Sequence, residues 1–436
     1  MEAYPPMSQF IVEGGRPLSG TIRVAGNKNA LQAVLAASLL TDGTITLRNV
    51  PETRDRHTIL NIMRDIGVEV TEPDTHTLTI NAGGIHKTAL NADLCRQVRG
   101  GFMFAGPLLA KFGRATVPRP GGDKIGRRRV DTHILALEAL GAKIHTNHIY
   151  ELRAPNGLSG ADIFLDERSV TGTESAVMAA VMAKGCTTIQ NAASEPHVQE
   201  LCHFLNDMGA QIVGIGTNEL SIEGVRTLAG TDHTIGPDYM EVGSFIGLAA
   251  VTNGSIRIED AAPENMRRSL MVFRRLGVEV EIDGNDIVVP DFQKLEIVPD
   301  IGDAIPKIDD DPWPGFPADL MSIAIVVATQ SRGTVLFFEK MFESRMFWVD
   351  RLIDMGAKII LCDPHRAVVV GPSKLYGEHL TSPDVRAGMA LLLASLCAEG
   401  TSVIDNIEQI DRGYERIDER LRMLGARIER VPSSHG

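Results

Sequence analysis

The chain repeats one sequence pattern six times. Each copy has an apolar helix-like stretch closed by a glycine, a short β-type run, an amphipathic stretch closed by a second glycine, and two more β-type runs. The first glycines are Gly43, Gly113, Gly185, Gly254, Gly333 and Gly400, and the second are Gly67, Gly141, Gly209, Gly277, Gly356 and Gly425. Because a repeat fixes the architecture before any single motif is considered, the six copies predict an array of similar modules.

The module that this pattern predicts is βαβαββ-like, in the α/β class. The first stretch of a copy is apolar on nearly every face, which is typical of a buried helix, whereas the second has one polar face. The clearest first stretches are 30–40, 174–184, 319–330 and 385–399, and the clearest second ones are 348–355 and 417–424. Short β-branched runs such as 358–362 and 367–370 follow, separated by turns.

The 436 residues are too many for one ordinary core, so the six modules predict two domains of three repeats each. Residues 22–232 hold the first three repeats, and 233–436 hold the last three. A strand predicted at 10–12 precedes the first repeat and could join either domain. The stretch 301–316 lengthens the fifth repeat, and we expect it to be a loop.

Composition excludes several classes of protein. A net charge of −13 argues against a nucleic-acid or anionic-membrane partner, since either favours a basic face. The five cysteines are odd in number and lack metal-site spacing, which is typical of free thiols in a reducing compartment. The sequence shows no secretory signal, no apolar run of membrane-spanning length and no Rossmann or P-loop glycine pattern. We therefore expect a cytoplasmic protein.

Basic residues recur at matching places in the repeats, either at the starts of predicted buried helices or in the loops after the first strands. They are Lys28, Arg99, Arg128, Arg345, Arg386 and Arg412. Helix N-termini favour anions, and the arginine fork suits carboxylate and phosphate. A glycine-flanked, strongly charged loop at 120–131 could fold over a bound ligand. Together these features predict a cleft for a highly anionic small molecule.

Six motifs, in order along the chain, resemble the enolpyruvyl transferases, and among them the branch that acts on UDP-N-acetylglucosamine. They are Ala-Gly-Asn-Lys-Asn-Ala at 25–30, Pro-Gly-Gly-x-x-Ile-Gly-x-Arg-x-Val-Asp at 120–131, Phe-Pro-Ala-Asp at 316–319, Phe-Glu-Ser-Arg at 342–345, Asp-Val-Arg at 384–386 and Asp-Arg-Gly-Tyr-Glu-Arg at 411–416. The resemblance implies a two-domain inside-out α/β barrel with the active site between domains. It also places residues 1–21 with the second domain.

The same resemblance implies transfer of the enolpyruvyl group of phosphoenolpyruvate to the 3-hydroxyl of UDP-N-acetylglucosamine. This is the first committed step of peptidoglycan synthesis, and so of cell-wall biogenesis, cell shape and cell division. No metal, organic cofactor or oligomer is implied. Lys28, Arg128 and Arg412 would hold the phosphate, Arg345 and Arg386 the carboxylate, and Asp319 would be the general base. The UDP-sugar would contact Asn29, Arg99, Asp131, Ser169, Val170 and the segment 128–133, and Asp384 would also belong to the site.

Three positions depart from the family pattern. Most members have Cys at the tip of the glycine-flanked loop, where this chain has Asp123. Asp123 is either the proton donor to the methylene carbon or a positioning residue. Glu167, where a Lys is frequent, and Ser344, beside Arg345, concern substrate contacts. The alternatives are an enolpyruvyl transferase for a shikimate-type acceptor or another nucleotide sugar, and a non-catalytic UDP-sugar-binding relative.

Overall fold

The computed structural model describes residues 8–123, 125–126 and 128–433. Its α-helices are α1 (Lys28–Ala37), α2 (Arg54–Ile66), α3 (Ala92–Cys95), α4 (Ala105–Phe112), α5 (Asp131–Ala139), α6 (Val170–Ala180), α7 (Pro196–Asp207), α8 (Tyr239–Thr252), α9 (Arg267–Arg275), α10 (Ala318–Gln330), α11 (Val349–Asp354), α12 (Val385–Cys397), α13 (Glu408–Asp411) and α14 (Ile417–Met423). Short 3-10 helices occupy Ser38–Leu40, Arg99–Phe104 and Pro263–Met266.

The β-strands are short and are distributed along the whole chain. They are β1 (Ser8–Glu13), β2 (Gly20–Arg23), β3 (Ile45–Arg48), β4 (Glu69–Asp74), β5 (Thr77–Asn81), β6 (Arg114–Pro118), β7 (Lys143–Thr146), β8 (Ile149–Arg153), β9 (Asp162–Phe164), β10 (Cys186–Gln190), β11 (Gln211–Val213), β12 (Glu219–Glu223), β13 (Asp232–Thr234), β14 (Ile256–Glu259), β15 (Glu281–Asp283), β16 (Asp286–Val289), β17 (Lys307–Asp309), β18 (Gly333–Phe338), β19 (Lys358–Asp363), β20 (Arg366–Gly371), β21 (His379–Thr381), β22 (Thr401–Asp405) and β23 (Arg427–Pro432).

The chain divides into two compact units. Unit 1 consists of residues 1–25, 124–127 and 237–436, and unit 2 of residues 26–123 and 128–236. The described strands form three small sheets in each unit. In unit 2 the sheets have the orders β13-β3-β5-β4, β6-β8-β7 and β11-β12-β10-β9. In unit 1 they have the orders β15-β16-β14-β2, β17-β18-β20-β19 and β21-β22-β1-β23.

Each unit has helices inside and sheets outside. In unit 1 every residue of α8 is buried, as are nearly all residues of α10 and α12, and these three helices pack on one another. The surrounding strands alternate, with buried side chains on one face only, as in β18 and β20. The buried helices predicted from the repeats, and the inside-out α/β arrangement implied by the resemblance, are therefore confirmed. The predicted helices and strands are also confirmed, with ends that shift by a few residues.

The first and fourth repeats exchange their leading strands, with crossings inside the ranges 21–27 and 230–237 that the resemblance implies. β2 precedes α1 in the chain but pairs in parallel with β14, in unit 1. β13 precedes α8 but pairs in parallel with β3, in unit 2. The unit boundaries consequently lie at 25–26 and 236–237 instead of the expected 21–22 and 232–233. The apolar side chains of Ile22 and Val24 explain the shift, because they are buried in the core of unit 1.

The N-terminal strand completes the last sheet. β1 lies between β22 and β23 and is antiparallel to both, so the sixth repeat takes its central strand from the start of the chain. Phe10 and Val12 point into the core of unit 1 and are fully buried.

The stretch 301–316 is not wholly a loop, contrary to expectation. It contains β17, which pairs in parallel with β18 and leads the fifth repeat. The Asp-rich composition concealed a strand of only three residues. Among the described helices none is long and apolar enough to cross a bilayer.

Candidate active site

In unit 1, Asp319 lies between two arginines. It is the second residue of α10 and accepts hydrogen bonds from Nη2 of Arg345 at 2.7 Å and from Nε of Arg386 at 2.9 Å. The two arginines are 9% and 6% exposed, so these ion pairs are largely removed from water. Charge-assisted bonds of this kind fix the planes of both guanidinium groups.

Arg386 is positioned by the start of α12 and by a buried tyrosine. Asp384 caps the helix, and its Oδ1 accepts from the backbone N–H groups of Arg386 at 2.8 Å and Ala387 at 3.0 Å. Nη1 of Arg386 donates to the hydroxyl of Tyr414 at 3.3 Å, and that hydroxyl also bonds Ser244 Oγ at 2.8 Å. Burial is the largest single influence on Arg386 and acts against its charge, but Asp319, Tyr414 and Asp238 together outweigh it and raise the pKa of the guanidinium.

Arg345 lies in the loop after β18, over the ring of Phe342, with 5.0 Å from the guanidinium carbon to the ring centre. Burial again acts against the charged form, while the negative charges of Asp319 and Asp384 favour it, and the pKa of Arg345 is raised. Arg345 also lines a small cavity together with Ser322, Glu339 and Asp384. A guanidinium has five N–H donors, so each arginine keeps donors beyond those that bind Asp319.

Arg412 follows α13 in unit 1 and is half-buried. Its Nη1 donates to Oε1 of Gln409 at 3.1 Å. It is two residues from Tyr414, whose hydroxyl contacts Arg386. The structure therefore gathers Asp319, Arg345, Asp384 and Arg386 into one cluster, with Arg412 close to it in sequence.

In unit 2, Lys28 opens α1 beside a buried carboxylate. Asn27 caps the helix, and its Oδ1 accepts from the backbone N–H groups of Asn29 at 2.9 Å and Ala30 at 3.0 Å. Nζ of Lys28 lies 3.1 Å from Oδ2 of Asp55, and both side chains are largely buried. Asp55 belongs to α2 and was not predicted, because nothing in its sequence context marks it as the partner of Lys28.

Arg99 holds the glycine-flanked loop. It opens the 3-10 helix Arg99–Phe104, and its two Nη atoms donate to the carbonyls of Arg128 at 3.0 Å and Arg129 at 3.1 Å. Burial lowers the pKa of Arg99 to about 10, and the nearby charge of Arg128 acts in the same direction.

The starts of α5 and α6 adjoin. Ser169 caps α6, accepting from the N–H of Gly172 at 3.2 Å, and Val170 is the first residue of that helix. Thr132, in the first turn of α5, donates to Asp166 at 2.7 Å. Asp131 forms an ion pair with Arg129. Burial, reinforced by Asp166, raises the pKa of Glu167. These residues bring two of the predicted UDP-sugar segments together.

The described part of the glycine-flanked loop is held within unit 2 at Gly121 and within unit 1 at Ile125. At Gly121 a Cβ would lie 1.7 Å from the carbonyl oxygen of Arg96, so only glycine fits there. Further along, Ile125 is buried, and its carbonyl accepts from the N–H of Ser344 at 3.2 Å. Asp123 is half-buried at the unit-2 end of the loop. Lys124 and Arg127, named with the loop in the motif, lie outside the described residues.

Three residues of the unit-1 site were missed by sequence reasoning. They are Glu339, Asp310 and Ser244. Glu339 and Ser244 are buried polar residues in apolar contexts, which is a signal, whereas Asp310 lies within an acidic run that hides it. The 411–416 motif does not by itself assign a role to Tyr414, whereas in the structure the Tyr414 hydroxyl accepts a hydrogen bond from Arg386.

Solved structures of enolpyruvyl transferases share this fold. The enolpyruvyl transferase NikO from Streptomyces tendae matches 98% of this chain with a TM-score of 0.87 and 22% identity. EPSP synthase from Acinetobacter baumannii matches 97% with a TM-score of 0.74 and 19% identity. At these identities the likeness concerns the fold alone.

Sequence comparison identifies the family. The model described as EPSP synthase (3-phosphoshikimate 1-carboxyvinyltransferase) matches residues 12–421. UDP-N-acetylglucosamine 1-carboxyvinyltransferase of Bradyrhizobium diazoefficiens is 56% identical over 97% of this chain and 98% of its own length. The protein of the same name from Treponema denticola is 53% identical over 97% and 99%. The chain therefore belongs to the EPSP synthase family of transferases, which confirms the resemblance seen in the motifs.

Proposed function

We propose that the protein transfers the enolpyruvyl group of phosphoenolpyruvate to the 3-hydroxyl of UDP-N-acetylglucosamine and releases inorganic phosphate. The relatives above 50% identity carry the name of this activity over nearly their whole length. The structural observation that carries the proposal is the Asp319 carboxylate held between Arg345 and Arg386 at the starts of two buried helices. This cluster places a carboxylate that can accept a proton beside two guanidinium groups that can bind an anionic substrate.

The chemistry is an addition followed by an elimination. The sugar oxygen adds to C2 of phosphoenolpyruvate as its proton leaves to Asp319, and a proton enters at C3. The tetrahedral intermediate then loses a proton from C3 and expels phosphate, which leaves the enol ether. We assign the incoming proton to Asp123, with a positioning role as the alternative. Fixed positive charge and positioning supply most of the rate in such a reaction.

We assign the substrate contacts as the resemblance implies. Lys28, Arg128 and Arg412 hold the phosphate of phosphoenolpyruvate, and Arg345 and Arg386 hold its carboxylate. The UDP-sugar contacts Asn29, Arg99, Asp131, Ser169 and Val170, together with the segment 128–133. Arg99 is suited to the nucleotide because its charge is buried beside that of Arg128.

We place the reaction in the cytoplasm, as the first committed step of peptidoglycan synthesis. The acidic net charge of −13 and the unpaired cysteines are consistent with a reducing compartment. On this assignment, loss of the protein stops cell-wall growth and with it normal cell shape and division.

The direct test is phosphate release from phosphoenolpyruvate with and without UDP-N-acetylglucosamine. We expect release only with the sugar nucleotide, and none with shikimate 3-phosphate as acceptor. Release with shikimate 3-phosphate alone would instead support the sibling activity, and tight sugar-nucleotide binding without release would indicate a non-catalytic relative.

Asp319→Asn provides a second test of the same assignment. It should lower kcat by about 10²- to 10⁴-fold, the range for loss of a general base. Asp354→Asn is the matched control, since Asp354 is an exposed carboxylate of the same unit, paired only with its helix neighbour Arg351 in the described structure. Equal activity of Asp319→Asn and wild type would remove Asp319 from the chemistry.

A further inference from the structure

Glu339 is a fully buried acid at the end of β18. Within the described part of the chain, neither oxygen of its carboxyl group accepts from an N–H or hydroxyl donor, and its side-chain contact is with the acid Asp310. The backbone of Glu339 is held tightly, since its N–H donates to the carbonyl of His365 at 2.8 Å and its carbonyl contacts Nδ1 of His365 at 2.7 Å. A buried carboxylate without donors is costly, so the charge state of this group requires an explanation.

The nearest acid to Glu339 is Asp310, which follows β17 and is also fully buried. Asp310 already accepts from the backbone N–H groups of Lys340 at 2.5 Å and Met341 at 3.3 Å. Two carboxylates offer only acceptors to each other, so a bond between them requires a proton on one. Asp310 accepts from two backbone N–H groups and Glu339 accepts from none in the described structure, so we place the shared proton on Glu339.

Burial is the main cause of the altered acidity of Glu339. It raises the pKa to about 9; Arg345 acts in the opposite direction, and Asp310 and Asp319 add to the rise. The charged or titratable groups that surround Glu339 are Arg345 on its own loop, Asp310 after β17, Asp319 on α10, Asp384 before α12 and His365 before β20. At neutral pH the balance among them leaves Glu339 uncharged.

Glu339 and Arg345 line the same small cavity, with Ser322 and Asp384 on its wall. Among the described residues, Nε of Arg345 is also buried without a hydrogen-bond partner. A donor and an acceptor that lack partners thus border one polar space, which has room for about one water molecule.

We propose that Glu339 is a positioning residue for Arg345, as a neutral acid that donates to Asp310 and accepts from a water that in turn accepts the Nε–H of Arg345. The guanidinium plane is then fixed from behind by the water and in front by Asp319. Because Glu339 adds no charge, Arg345 retains its attraction for an anionic substrate. This inference rests on the proposed function in that Arg345 is taken to bind the carboxylate of phosphoenolpyruvate.

The test compares Glu339→Gln with Glu339→Leu. Glutamine keeps a donor for Asp310 and an acceptor for the water but cannot ionise, whereas leucine has neither. We expect Glu339→Gln to retain wild-type kcat and KM at neutral pH. For Glu339→Leu we expect KM for phosphoenolpyruvate to rise about tenfold, with a smaller change in kcat, as for a lost hydrogen bond to a charged group.

The pH profile gives a reading that a merely structural role would not. In wild type, KM for phosphoenolpyruvate should rise as Glu339 ionises above about pH 9, because the new negative charge partly neutralises Arg345. Glu339→Gln should lack this rise. Glu174→Gln is the matched control, since Glu174 is equally buried and has a raised pKa but belongs to α6 in unit 2.

The outcomes separate this inference from the proposed function. A wild type that transfers no enolpyruvyl group refutes the proposed function. The protonation of Glu339 can still be tested by infrared spectroscopy, because at neutral pH wild type should show a carboxyl band that Glu339→Gln lacks. Absence of that band overturns the inference. The inference is also overturned if Glu339→Gln is as impaired as Glu339→Leu. It is overturned as well if the rise in KM for phosphoenolpyruvate at high pH disappears only in Glu174→Gln. If Glu339→Leu does not fold, the profile of Glu339→Gln decides alone.

Discussion

At the scale of the residue, the loop position occupied by Asp123 decides how the protein responds to thiol-directed inhibitors. Epoxides that alkylate the loop cysteine of relatives should not inactivate this protein, because a carboxylate is a weaker nucleophile than a thiolate at neutral pH. Asp123→Cys should create time-dependent inactivation. The measurement is residual phosphate release after incubation with the epoxide.

Other thiols of the chain set the control for that experiment. Burial raises the pKa of Cys95 to about 11 and those of Cys202 and Cys397 to about 12, so these thiols are unreactive. Cys186 and Cys362 are exposed, on β10 and β19, and lie outside the proposed site, so we expect their alkylation to leave activity unchanged. The double variant Cys186→Ser/Cys362→Ser should respond as wild type does; rapid inactivation of wild type would contradict the prediction.

His133 makes stability depend on pH. Burial lowers the pKa of its imidazole to about 3, with the charge of Arg99 as a second cause, so the folded protein holds it neutral. The unfolded chain takes up a proton near pH 6.5, and stability is therefore lost as the pH falls from about 6.5 towards 3. Between pH 7.5 and 5.5, the unfolding free energy of His133→Leu should fall by about 1.4 kcal/mol less than that of wild type.

Urea denaturation at the two pH values measures this difference. Comparing slopes within each protein removes any change in packing that the substitution causes at both pH values. His203→Leu serves as a control from the same unit, since the side chain of His203 is exposed. An equal pH response of His133→Leu and wild type would mean that the imidazole titrates alike in both states.

The helix-start residues of the site could be predicted from sequence, because buried helices and their closing glycines recur at a fixed spacing. Lys28, Arg99, Asp319 and Arg386 do lie in the first turns of such elements. Their partners could not be predicted. Tyr414 is 28 residues from Arg386, and its role depends on a close approach that only the packed core creates.

At the scale of the element, the N-cap of α12 links helix stability to the site. Asp384→Ala removes the acceptor for two backbone N–H groups and should cost about 1 kcal/mol of unfolding free energy. It should also raise KM for phosphoenolpyruvate, because Arg386 follows the cap by two residues. Asp384→Asn keeps the acceptor and should recover most of the stability. A stability loss equal in both variants would show that charge, not capping, is the main contribution.

Strand pairing marks the limit of sequence reasoning at this scale. Alternation of apolar residues predicts that β2 and β13 are strands, but it does not say which sheet each one joins. Both strands are short, and a Leu-x-Gly tripeptide marks the start of each repeat, at 18–20 and at 228–230. The sequence pattern therefore favours continuity within a repeat. The exchange between the first and fourth repeats emerges only from the parallel registers Ile22↔Ile258 and His233↔Leu47.

At the scale of the whole molecule, the exchange makes the two units unequal in sequence. Unit 2 is continuous from 26 to 236 apart from the loop tip, whereas unit 1 needs both ends of the chain. The fragment 26–236 should therefore unfold cooperatively in urea by itself. The fragment 26–231 should be less stable, because it lacks β13 and exposes the edge of β3.

Unit 1 should behave differently as a fragment. Residues 237–433 lack β1 and β2, and their core lacks Phe10, Val12 and Ile22, so this fragment should aggregate or remain unfolded. Ser8 lies opposite Pro432 in the antiparallel ladder, so a short turn can join the end of β23 to the start of β1. Residues 8–25 attached in this way after residue 433 should restore a cooperative transition, followed by circular dichroism in urea. Equal stability of 237–433 with and without the attached segment would show that the N-terminal strands are dispensable for this core.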